Sequence, residues 1–152
     1  MSSTRLTQIV RAPRAAVYRA LLDPADVATW MVPDGMTSEV HSFDGREGGT
    51  FRISLTYDAA DREGKTSAHT DTYHGRFESL VPNEQIVEID EFETDDPNLQ
   101  GEMRITVTLR EAPGGGTDLL AVHDGLPPGV LPADNELGWQ LSLAKLATLL
   151  ER

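Results

Sequence analysis

Four histidines and no cysteine make up the obvious chemical inventory of this 152-residue chain. Without thiols, disulfides, zinc–thiolate centres and thiol nucleophiles are excluded. His69 and His74 are five apart, so along a strand they point to opposite faces and are poorly arranged to share a metal. His41 sits among polar neighbours. His123 differs, because alternation in LLAVHDGL puts it with Leu119 and Ala121 on the face expected to look inward. There an imidazole either packs against a backbone carbonyl near a helix, or orients a ligand or exchanges a proton inside an apolar cavity.

Other chemistries find little support. GREGG at 45–49 lacks the lysine and spacing of a phosphate loop and reads as a tight hairpin. No G-x-S-x-G or H-E-x-x-H occurs. Acids run from Asp58 to Glu63 and cluster in DEFETDD at 90–96, without the regular spacing of a calcium loop. That cluster is expected to be a solvated strand end and loop. No catalytic residue, metal ligand or cofactor is assigned.

Large apolar groups are more informative. Trp30, Phe51, Ile53, Tyr57, Phe77, Met103, Trp139 and Leu143 lie on segments that should converge, either as solid core or as the wall of a ligand pocket. His123, Tyr57 and Arg46 are the candidate polar groups of such a pocket.

The elements that must position these residues follow from periodicity. TRLTQIVR at 4–11 reads as a strand, and Ala12-Pro13 opens a helix with Val17, Ala20 and Leu21 at helical spacing. Asp23-Pro24 opens a second short helix carrying Val27, Trp30 and Met31, which Pro33-Asp34-Gly35 ends. Strands are expected at 36–43, at TFRISLTY, and around 66–81, 85–93, 102–111 and 117–124. Each has one apolar face, so they form an antiparallel sheet joined by hairpins. GWQLSLAKLATLLER at 138–152 puts Trp139, Leu143, Leu146, Ala147 and Leu150 on one helical face, with Leu141 nearly opposite. The fold class is α+β: a curved antiparallel sheet of about six to seven strands wrapped around a long C-terminal helix, with two short helices after the first strand. One domain covers 1–152.

A net charge of −12 argues against nucleic acid and anionic membranes as partners. No stretch is long and apolar enough for a membrane span, and the N-terminus carries no signal-peptide run, so a cytoplasmic location is expected. Leu120 and Val122, on the face opposite His123, with Leu137 and Leu141 on the outer side of the helix, form a candidate homodimer surface.

The order of elements carries particular words: strand-Ala12-Pro13-helix; Trp30 with Pro33; Phe43-Asp44, Arg46 and Gly48-Gly49 before a strand; Gly75-Arg76-Phe77-Glu78 with Pro82; His123 with Gly125-Leu126-Pro127; and Gly138-Trp139 with Leu143 and Leu146. This series, spanning nearly the whole chain, resembles the helix-grip superfamily of START-related proteins. Within it the chain is most similar to the branch named for the activator of heat-shock-protein-90 ATPase homologue. The resemblance implies a grip fold and a hydrophobic or amphipathic small molecule or lipid held between sheet and helix. Two other roles are open, a polyketide cyclase or dehydratase using His123 and Tyr57, and an interaction with a chaperone or stress-response partner. Family members that activate the chaperone in eukaryotes carry a further N-terminal domain, whereas this sequence opens on the first strand, so the chaperone is the weakest expectation of the three.

Overall fold

A computed structural model describes residues 2–33, 35–58 and 70–151. Its elements run β1 (Ser2–Val10), α1 (Arg14–Leu22), α2 (Pro24–Trp30), β2 (Met36–Phe43), β3 (Thr50–Tyr57), β4 (Thr70–Val81), β5 (Gln85–Phe92), β6 (Met103–Glu111), β7 (Thr117–Leu126) and α3 (Pro132–Leu150). Of the strand expected around 66–81, residues 66–69 lie outside the described residues, as does His69.

The strands form one antiparallel sheet in the order β1-β7-β6-β5-β4-β3-β2. Six consecutive strands pair with their chain neighbours, as short hairpin connections dictate, and β1 closes the far edge against β7. The sheet curls into a half-barrel with α3 in its concavity. Irregular register between Phe77 and Ser79, and between Val40 and Ser42, adds the local bend that a curled sheet needs.

Helix starts follow local chemistry. At α2 the Asp23 carboxylate accepts hydrogen bonds from the backbone N–H of Ala25 (2.9 Å) and Asp26 (3.0 Å), and Pro24 takes the first helical position. α3 also begins on proline, and at its far end Glu151 accepts a bond from the Arg11 N–H (2.9 Å), tying the helix to the end of β1. The face predicted for α3 is the one it buries: Leu143, Leu146 and Ala147 are at most 7% exposed. Leu141, expected on the outer side, is half-buried, whereas Leu137 is exposed. Leu120 and Val122 are also half-buried, flanked in register by Thr7 and Thr108, and by Arg5 and Thr106.

The core fills the space between the sheet's inner face and the three helices. Inner-face residues line up in cross-strand rows, which the register fixes. One runs Phe43–Phe51–Gly75–Asp90–Met103, and the next runs Phe77–Glu88–Ile105–His123–Thr4. Two carboxyls, Glu88 and Asp90, thus stand in the middle of the concave surface among the apolar and aromatic groups of these rows.

Candidate functional site

Beneath α2 and α3 the sheet encloses a small cavity of about 20 Å³. Its wall is apolar and aromatic: Trp30 from α2 and Met31 just after it, Phe43, Phe51, Ile53, Ile86 and Val107 from the sheet, and Trp139 and Leu143 from α3. Among the described residues, Glu88 is the sole charged side chain on that wall. Phe43, Phe51, Phe77 and Tyr73 form a connected aromatic group, with ring centroids 5.2–6.3 Å apart. Trp30 is locked by its indole N–H, which donates to the Ala20 carbonyl at the end of α1 (3.0 Å).

Glu88 and Asp90 were not foreseen as site residues, and Asp90 corrects the expectation that the 90–96 cluster is solvated. It is 3% exposed, on the inner face. The cause is register: Asp90 pairs with Gly75 and Met103, and Glu88 with Phe77 and Ile105, all inward-facing. The two carboxyls are near enough for each to affect the other's titration. Among the described residues, no cation, hydroxyl or amide bonds either carboxyl, and Asp90 Oδ1 is buried without a donor. Burial raises both pKa values, and the like charge of Glu88 raises Asp90 further. The pair therefore retains a proton where surface carboxylates have lost theirs. Tyr73, whose hydroxyl donates to Met31 Sδ (3.3 Å), is pushed well above its ordinary value by burial and by the two acids.

QIVEIDEF could not reveal this from alternation, since both of its faces mix apolar and acidic residues. On the outer face Ile89 is also buried. It lies in register between Arg76 and Arg104, whose aliphatic stems cover it while their guanidinium groups pair with Glu102 and Glu78.

His123 is tied into α3. The indole N–H of Trp139 and the side-chain amide of Asn135 both donate to its Nδ1, each at 3.2 Å. Nε2 then carries the hydrogen and points at Met103 Sδ (3.2 Å). Side chains, not a backbone carbonyl, hold this imidazole. Burial lowers its pKa to about 4, and β6 separates it from Glu88.

Of the residues singled out from sequence, Trp30, Phe51, Ile53, Trp139 and Leu143 come together on the cavity wall. Phe77 is core behind Phe51, Met103 packs in a satellite cluster with Leu126 and Val130, and Tyr57 lies half-buried opposite Met36 at the end of β3. Arg46 does not reach the cavity: it is exposed in the β2–β3 turn, paired with Asp44 (2.8 Å). Gly48 in that turn has φ 82°, a left-handed conformation that suits glycine, and its N–H bonds the Phe77 carbonyl (2.9 Å). His41 and His74 are exposed beside Glu39 and beside Glu91 and Glu93. Among the described residues, no group of histidines and acids is placed to hold a metal ion, and no helix is long and apolar enough to cross a membrane.

Comparison with known proteins agrees with this architecture. A protein from Chromobacterium violaceum has a crystal structure that superposes with a TM-score of 0.87 at 37% identity, covering 99% of this chain and 97% of that one. The AHSA1-like protein from Aeromonas hydrophila gives 0.72 at 18% identity, with 99% and 92% covered. DynU16, from the dynemicin biosynthetic locus, gives 0.67 at 21% identity; 99% of this chain matches 48% of that one. No curated protein matches the chain. The profile of the family described as Activator of Hsp90 ATPase homolog 1-like protein matches residues 11–151, and the chain belongs to that family.

Proposed function

We propose that this protein is a cytoplasmic binding module that takes a small molecule with a hydrophobic body between the sheet and α3. The observation that carries the reading is the cavity wall, apolar and aromatic on every side and contributed by sheet, α2 and α3 together, with one polar group set into it. At about 20 Å³ the cavity holds about one water molecule, whereas ligand pockets run to roughly 300–1,000 Å³. Binding is therefore coupled to movement of the wall. Met31, an unbranched side chain, and Trp139, half-buried on α3, are the wall residues best able to give way. Mass spectrometry of natively purified protein, followed by tryptophan-fluorescence titration with a panel of lipids and aromatic compounds, tests the reading. A stoichiometric ligand or saturable quenching is expected; neither appearing would overturn it.

The carboxyl pair, with Asp90 buried and Glu88 half-buried on the cavity wall, favours one further reading, a cyclase or dehydratase acting on a polyketide-like chain. A carboxyl that keeps its proton near neutral pH can serve as a general acid, and its ionised partner as a base. The likeness to DynU16, a protein of a biosynthetic locus, is consistent with that chemistry at the level of fold. Unchanged turnover of an identified substrate by Glu88→Gln would remove the acid–base role.

A further inference from the structure

Among the described residues the cavity wall is apolar except at Glu88, and beside Glu88 on β5 stands a second carboxyl, Asp90, to which no described cation is paired. Among the described residues, the strand partners and cavity neighbours of this pair are Phe77 and Gly75 of β4, Ile105 and Met103 of β6, Met31 just after α2, and Trp139 and Leu143 of α3, with the Tyr73 hydroxyl at Met31. None is cationic. Lys145, the α3 residue nearest in type, instead donates to the Val32 carbonyl (2.6 Å). Asp90 is 97% buried by its 3% exposure, and its Oδ1 receives no hydroxyl, amide or cation. That oxygen lies over Gly75: a Cβ there would meet Asp90 Oδ1 at 2.8 Å and Phe51 Cζ at 2.5 Å. Acid and aromatic ring thus occupy the space beside the cavity that any larger residue at 75 would fill.

Buried acids without a counter-ion destabilise a fold, and a core built for packing alone would place leucine or phenylalanine at both positions. The features that offset the acids are those of a site for an organic cation. Carboxylates supply charge-assisted hydrogen bonds, and the faces of Trp30, Phe43 and Phe51 attract positive charge. The acids are already withdrawn from water in the folded protein, so a bound cation must offset its own desolvation and the loss of the proton that the pair retains.

We infer that the ligand carries a protonated amine on its apolar body, with the ammonium group seated on Glu88 and Asp90 against the aromatic wall and the body lying between the sheet and α3. This rests on the binding reading and specifies its ligand class. The proton that the pair retains in the unliganded protein is released to solvent as the ammonium seats.

The test compares n-octylamine, protonated at neutral pH, with 1-octanol and octanoate by calorimetry and tryptophan fluorescence. Working at about 1 M salt screens surface charge beyond about 3 Å, so the −12 net charge cannot attract the amine on its own. The same titrations are run on Glu88→Gln and on the Glu88→Gln, Asp90→Asn double variant, with circular dichroism to establish that both fold. The expected result is octylamine binding ~10-fold or more tighter than octanol, with octanoate weakest, and the preference abolished in the double variant. Equal or tighter binding of octanol would overturn the amine while leaving the binding reading intact. A preference for octylamine that survives in a folded double variant would also overturn it, because the cation would then sit elsewhere. Failure of all three probes to bind would sink this inference together with the binding reading.

Discussion

His123 and the Glu88–Asp90 pair respond to pH in opposite directions, and both responses follow from burial. The imidazole falls from its ordinary 6.5 to about 4, so below pH 6.5 the unfolded chain takes up a proton that the folded chain refuses. Stability is therefore lost as pH falls from about 6.5 to about 4, by roughly 3 kcal/mol from this residue. An NMR titration should show the His123 ring unprotonated until about pH 4; a midpoint near 6.5 would contradict the burial and the Trp139 bond. The acids have raised folded values, so their contribution is fully present below the ordinary carboxylate range and is lost as pH rises through those values. Glu88→Gln keeps the shape and removes a titrating group. It should raise the urea midpoint at pH 8 relative to the parent and leave it lower or unchanged at pH 5.

Among the elements, α3 and the β4–β5 hairpin decide whether the inner face is closed. Leu146 on α3 has no exposure, and Leu146→Ala should lower the unfolding free energy by about 3 kcal/mol in urea titration. Gly75 on β4 is a second test, because a Cβ there would press on the Ile89 carbonyl (2.5 Å) as well as on Phe51 and Asp90. Gly75→Ala is expected to destabilise by about 2 kcal/mol through overpacking and to perturb the near-ultraviolet aromatic signal. Most elements could be read from the sequence because their signals were local: the Asp23-Pro24 start of α2, the alternation of TFRISLTY and EMRITVTLR, and the greasy face of α3. The β5 strand was legible as a strand but not by face. Its inward parity is set by pairing with β4 and β6, and the bulge at Phe77–Ser79 shifts that pairing locally. Arg46 and Tyr57 failed to reach the cavity for a related reason: a turn and a strand end can share a residue pattern with the site while standing away from its centre.

At the scale of the whole molecule, a half-barrel held against one long helix brings Trp30, Phe43, Phe51 and Trp139 together around one cavity in its concavity, in a chain whose net charge is −12. The charge predicts that the protein passes through a heparin column without retention at physiological salt, since a net charge of −12 repels a polyanion. The fold alone does not choose between a filled core and a binding site, because the same wall serves both; the buried acids are what separate them. A methyl-labelled NMR titration with an apolar probe such as 1-octanol or n-octylamine addresses the central claim most directly. Saturable shifts are expected at Ile53, Ile86, Val107 and Leu143 on the cavity wall. Shifts confined to the exposed Ile9, Val81, Leu131 and Leu137, or no saturable shift at any methyl group, would contradict a ligand held between the sheet and α3.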